Sequence, residues 1–171
     1  MHEVSVKTER KTQVVDITAL VREALGEKAD GAAVLVYVPH TTAGVTINEH
    51  ADPNVARDLE MSLERVVEDG WPFKHWEPGD ENASSHIRAA LIGPQVLVPL
   101  DGGKLALGTW QGIFFCEFDG PRPRKVFVSV LRKKSSKQEK LPKCWDWTLL
   151  SVSPEVQSGT CCIHFRLLVR K

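Results

Sequence analysis

No apolar run in the 171 residues approaches the roughly 18–20 that a membrane-spanning helix needs, which excludes an integral helical membrane protein. The N-terminal MHEVSVKTER lacks the apolar core of a secretory leader, so the cytosol is the expected location. The chain has no Walker phosphate loop, no dinucleotide-binding glycine fingerprint and no nucleophile elbow, and no repeat recurs along it. Cysteine is scarce as well. Of four, only Cys116 precedes the last forty residues, and the adjacent Cys161 and Cys162 have no zinc-site spacing, so neither a disulfide framework nor a cysteine metal site is expected. Net charge is also missing, with 22 Lys and Arg balancing 22 Asp and Glu.

That balance conceals a division. Residues 1–131 hold 13 basic and 19 acidic side chains, a net of −6, whereas residues 132–171 hold 9 and 3, a net of +6. The chain therefore reads as one domain over 1–131 and a basic C-terminal extension over 132–171. The basic cluster of the extension (Arg132, Lys133, Lys134, Lys137) lacks interleaved aromatics, so nucleic acid is not an expected partner.

What is present is a set of short strands with helices between them. VSVKTERKTQVVDI reads as a hairpin, and Asp16 as the cap of a helix carrying Ile17, Leu20, Val21, Ala24 and Leu25 on one face. Residues 32–38 form an apolar strand, with 45–49 as its expected partner. Asp52 and Pro53 open the clearest helix, whose stripe is Val55, Leu59, Leu63, Val66 and Val67. NASSHIRAALIG predicts a shorter helix with Ile87, Ala90 and Leu91 inward. After it come QVLVPL, a turn at Asp101-Gly102-Gly103, KLALG, TWQGIFFCEF, a turn at DGPRPR and KVFVSVL. Meandering strands with two or three helices indicate α+β rather than α/β.

Three of the six histidines occupy suggestive places: His40 at a strand end, His75 in the aromatic loop WPFKHWEPGDE, and His86 on the short helix. Imidazole is a common metal ligand and acid–base group, but spacings of 35 and 11 residues form no local metal motif. Asn82 and His86 share a helix face, with capping the alternative role for Asn82. Glu117 interrupts an apolar strand and points either to solvent or into a pocket. Arg122 and Arg124 offer forked donors suited to phosphate or carboxylate. His50 and His2 read as solvated.

Together PHTTAGVTINE, DPNVARDL, the Trp-Pro-Phe-Lys-His loop, ENASSHIRAALIG and LGTWQGIFFCEFDGPRPR resemble the YjbQ-like family over about residues 3–131. The resemblance implies a compact α+β sandwich, β-meander with two to three helices, that assembles as a homotrimer. It implies a pocket near the subunit interfaces lined by His40, His75 and His86, where a divalent metal (zinc or magnesium) would bind and where His40, His86 and Glu117 would be the reacting groups. Thr41, Thr42, Asn82, Gln111 and Arg122 become expected substrate-binding groups. Some members are described as secondary thiamine-phosphate synthases, which join a hydroxymethylpyrimidine pyrophosphate to a thiazole phosphate and release pyrophosphate. No aspartate cluster suited to magnesium is present, which points to this as a side activity. The alternatives are a non-catalytic metal- or ligand-binding trimer and a metal-assisted enzyme acting on another small phosphorylated substrate. Trp71 and Phe73 depart from a more usual polar, tyrosine-containing stretch of the family, and the extension matches nothing in its pattern.

Overall fold

A computed structural model describes residues 1–75, 78–79 and 81–132. The basic extension beyond them, with Cys144, Cys161, Cys162 and His164, lies outside the described residues. Strands β1 (His2–Lys7) and β2 (Gln13–Asp16) precede α1 (Thr18–Leu25), followed by β3 (Ala33–Tyr37), β4 (Ala43–Glu49), α2 (Pro53–Val66) and α3 (Ala83–Ile92). The chain continues through β5 (Gln95–Asp101), β6 (Lys104–Leu105), β7 (Gln111–Glu117) and β8 (Pro123–Leu131). The class is α+β, and every strand pair is antiparallel.

The strands form two sheets, one of five in the order β1-β8-β3-β5-β6 and one of three in the order β2-β7-β4. Their facing sides interdigitate in a single apolar core. Val6, Val34, Val36, Val98, Val126 and Val128 from the larger sheet meet Val45, Ile113 and Phe115 from the smaller, and Ile17 and Val21 of α1 close one side. Each is a β-branched or aromatic residue at every second strand position, the pattern a sandwich interior demands. On the other face of the smaller sheet, Cys116 and Phe118 pack with Ala89 and Ile92 of α3 and Leu63 of α2.

Two expected pairings do not form. The opening segment is not a hairpin: β1 pairs with β8 and β2 with β7, in different sheets. Likewise β3 pairs with β5 and β8, while β4 pairs with β7. In both cases the polar link between the runs carries the chain across the core from one sheet to the other, a route that strand patterning does not distinguish from a turn. The Asp101–Lys104 hairpin forms where expected, with Gly102 and Gly103 at positive φ.

Helix α3 is rotated from its expected orientation. Leu91 is 58% exposed, and Ile87 and Ala90 also face outward. The buried face is Ser84, Ser85, Arg88 and Ala89. Arg88, 2% exposed, donates from Nε and Nη2 to the Val67 carbonyl at 3.1 and 2.6 Å and from Nη2 to Asp69 Oδ1 at 2.9 Å. Ser85 donates to the Phe118 carbonyl at 2.6 Å, and Ser84 to Asp69 Oδ1 at 2.5 Å. Satisfied polar groups thus take the inward face, a solution invisible to hydrophobic periodicity. Helix α2 is fixed in a similar way: Glu60 accepts from Arg10 Nη1 and Nη2 at 2.8 and 2.9 Å and from the Val14 amide at 2.7 Å.

Candidate functional site

The HTTAG segment is the crossover between β3 and β4, and a buried ion pair anchors it. Arg124 of β8, 7% exposed, donates from Nε to Glu117 Oε2 at 2.6 Å and from Nη2 to Oε1 at 2.5 Å. Its Nη2 also donates to Thr42 Oγ1 at 2.9 Å. Glu117 is completely buried and accepts further bonds from the Thr8 hydroxyl and from the amides of Phe118 and Asp119. The charge is therefore compensated on all sides, as a buried carboxylate requires. Its two oxygens are committed to Arg124, Thr8 and the 118–119 backbone, bonds that the reacting role implied by the resemblance would have to compete with. Gly44 adds a close approach: a Cβ there would lie 2.7 Å from the Gly93 carbonyl and 2.8 Å from Ile92 Cγ2, and it is this contact with the end of α3, not a turn, that demands glycine.

His40 lies over this pair. The Lys125 amide donates to His40 Nε2 at 3.0 Å, which places the ring proton of the neutral form on Nδ1 and satisfies an amide of β8 beyond the end of β3. Burial and the nearby Arg124 guanidinium lower the His40 pKa from its ordinary value, so the neutral ring is favoured. Thr42 is buried on Arg124, whereas Thr41 faces solvent.

The other two histidines come together elsewhere. His75 and His86 stand edge to face with ring centroids 5.3 Å apart, and they line a pocket of about 410 Å³ with Phe73, Lys74, Ala83 and Ile87. Asn82, the residue before α3, donates from Nδ2 to Asp119 Oδ2 at 3.2 Å, and its carbonyl accepts the amides of Ser85 and His86. Asp119 also receives Arg122, through Nη2 at 2.8 Å and, at its carbonyl, through Nε at 2.7 Å, so Arg122 is engaged with its own turn while half-exposed. Gln111 accepts the Gly108 amide through Oε1 at 2.8 Å and closes the Gly108–Gln111 turn. Among the described residues, no group of three or more His, Cys, Asp or Glu stands close enough to hold a metal ion. The predicted residues thus divide into a His40–Thr42–Glu117 group, an Asn82–Arg122 bridge through Asp119, the His75–His86 pocket, and Gln111 apart. Sequence reasoning missed the role of Asp119, which it read as part of a turn, and it read Arg124 as a donor to anions without naming its carboxylate, Glu117. The signal for the Arg124–Glu117 pair was one cation and one carboxylate, each interrupting an apolar strand.

The fold and these groups define an α+β sandwich whose histidines and arginines are gathered at strand ends and on one helix. A family model described as "UPF0047 protein YjbQ-like" matches residues 2–133, and the chain belongs to that family. A UPF0047 protein of Methanocaldococcus jannaschii is 45% identical over 131 residues, covering 75% of this chain and 92% of the relative. YugU of Bacillus subtilis, also a UPF0047 protein, is 40% identical over 129 residues, covering 74% and 95%. Among solved structures, an uncharacterized conserved protein of the YjbQ/UPF0047 family from Clostridium acetobutylicum is similar with a TM-score of 0.71 and 46% identity, over 77% of this chain and 100% of that one. A hypothetical protein from Aeropyrum pernix gives 0.72 and 41%, over 77% and 98%.

Proposed function

We propose that the chain is a small-molecule transferase of the thiamine-phosphate-synthase type, its pocket built on His75 and His86 and completed by His40 of a neighbouring copy in a homotrimer. The observation that carries this reading is the paired imidazoles of His75 and His86 on an open pocket with an ammonium group, Lys74, at its wall. Support for shared assembly comes from the surface around each half of the site. Ile87 and Leu91 are exposed on the helix of His86, and Tyr37, three residues before His40, and Leu97 are exposed on the larger sheet. Apolar patches of this kind, one on α3 and one on the outer side of the larger sheet, are what a head-to-tail subunit interface would cover.

In the reaction, the pyrimidine methylene–oxygen bond breaks with its electron pair leaving on pyrophosphate, and the thiazole nitrogen forms the new C–N bond. Lys74 supplies positive charge for the departing phosphates, and Arg122 remains the candidate for the thiazole phosphate. His86 is the group placed to hydrogen-bond the leaving oxygen, and the Nδ1–H of His40 is a donor whose direction is fixed by the Lys125 amide. Phe73 offers a flat wall to a ring.

Within one chain, the donor set offers an ion two imidazole nitrogens, at His75 and His86, with His40 as the third from a second copy. Nitrogen donors fit zinc, and the lack of clustered oxygens does not fit magnesium. A zinc ion bound there would act as a Lewis acid toward phosphate oxygen.

The test is thiamine phosphate formation by purified full-length protein, assayed zinc-loaded and metal-stripped. The expected result is product above the protein-free background, lowered about 100-fold or more in His86→Ala. Product at background in both wild type and variant overturns the enzymatic reading. The non-catalytic alternative would then stand, favoured by the full neutralisation of Glu117 by Arg124.

A further inference from the structure

The segment from α2 to α3 is pinned at both ends, and between them it borders a second cavity. At its start Asp69 Oδ1 accepts the Ser84 hydroxyl at 2.5 Å and Arg88 Nη2 at 2.9 Å, and Oδ2 accepts Lys11 Nζ at 2.6 Å. At its end Asn82 donates to Asp119. Just after the first anchor the Phe73 amide donates to the Trp71 carbonyl at 2.7 Å, closing a three-residue turn around Pro72, whose ring fixes a φ suited to it. The turn sets the Trp71 and Phe73 rings 6.1 Å apart between centroids, with their planes inclined at 35°. The pair is thus splayed rather than stacked flat, and Trp71 is 47% exposed.

Both rings line a cavity of about 270 Å³, together with Asp69, His75 and Glu81. It adjoins the His75–His86 pocket, sharing Phe73, His75 and Ala83 with it, but the two differ in charge. Lys74 lines the first pocket, whereas among the described residues lining the second none is Lys or Arg. Burial pushes the Asp69 carboxyl up, but Lys11, Ser84 and Arg88 outweigh it and hold it below its ordinary value, so it is ionised at neutral pH. Lys11 and Arg88 answer that charge. Glu81 has no such answer: it is exposed and makes no hydrogen bond or ion pair among the described residues. One small space therefore meets an uncommitted carboxylate and two aromatic rings, the pairing that attracts a cation. The donors are too few for a metal ion, since no group of three His, Cys, Asp or Glu stands together among the described residues. The volume lies below the roughly 300–1,000 Å³ of drug-sized sites, so the occupant is small.

We infer that this cavity binds a small organic cation, an alkylated ammonium group, held against the Trp71 and Phe73 rings with its charge answered by Glu81. The alkyl groups of such a head cover the rings, and the ring electrons and the carboxylate share its charge. Asp69 acts as a positioning residue, fixing the start of the segment to α3. The site uses neither His40 nor His86, and it stands whether or not the transferase reading holds.

The test is isothermal titration calorimetry of full-length protein at low ionic strength, with choline and with 3,3-dimethyl-1-butanol, which has the same shape and no charge. The expected result is saturable choline binding, with the neutral isostere about tenfold weaker or more. Trp71→Leu and Glu81→Gln should each weaken choline binding about threefold or more. Both side chains are at the surface, and a native circular dichroism spectrum checks that each variant folds. An absence of saturable choline binding overturns the proposal. So does equal binding of the neutral isostere, or choline binding undiminished in either variant.

Discussion

His40 is held neutral by its surroundings, and this has a measurable consequence in both titration and stability. The folded ring binds its proton less readily than the ordinary value of 6.5, because of burial and then the Arg124 charge. Just below that value the unfolded chain binds more protons than the folded one, so stability rises with pH across the window. The contribution is complete above about pH 6.5 and is lost as pH falls through the folded value. A nitrogen-resolved NMR titration should show the proton on Nδ1 and a midpoint below that of the unfolded chain; a midpoint at or above it contradicts this placement. Arg124→Met should cost about 3–5 kcal/mol in denaturant unfolding, because Glu117 is left buried without its partner. The same variant should raise the His40 midpoint, provided it folds. Cys116, by contrast, is a core group. Burial pushes its thiol up to about 12, so an alkylating reagent at neutral pH should leave it unmodified in the native protein.

At the scale of elements, the helix on which Asn82 and His86 sit reverses the usual inside–outside logic. Arg88→Ala should destabilise by about 2–4 kcal/mol, since it leaves the Val67 carbonyl without its buried donor and removes a charged partner of Asp69. Leu91→Ser should leave monomer stability within about 0.5 kcal/mol, because that side chain faces outward. Urea denaturation of the two variants compares them directly. Periodicity read the length of α3 correctly and its orientation wrongly, because an apolar stripe says where hydrophobic side chains are, not whether a second chain or the core covers them. The same limit explains the mispaired strands. The runs ending at Lys7 and Tyr37 were legible as strands from their β-branched residues, but nothing local in TERK or HTTAG states that the chain crosses the core there. Glu117 shows the complementary case. Its position in an apolar strand was plain, and its partner was not, since Arg124 is brought to it only by the return of β8 along β3.

Across the whole molecule, the larger sheet leaves an apolar outer side. Leu97 is 57% exposed, with Tyr37 and Leu131 also open and Leu35 opposite Leu97 in register. A two-layer sheet normally presents polar side chains outward, so this face fits an interface. For the proposed trimer, Leu97→Asp should shift full-length protein to monomer in sedimentation; an unchanged trimer would move the interface elsewhere, and a monomeric wild type would remove it. Among the described residues no helix is long and apolar enough to cross a membrane. The family assignment was legible from the HTTAG, ENASSH and GTWQ segments, because those residues serve the crossover, the α3 start and the β7 turn that define this fold. The division of the three histidines between two places was not legible, since it depends on which faces the strands and α3 turn toward one another.

The most direct test of a site completed between copies is subunit mixing in the thiamine-phosphate-forming assay. His40→Ala and His86→Ala are each purified, then unfolded, mixed and refolded together. Each variant alone should be inactive, and the mixture should regain a clear fraction of wild-type product formation, because some interfaces in mixed trimers pair an intact His40 with an intact His86. A mixture as inactive as the separate variants, or a wild type without activity, would contradict the account.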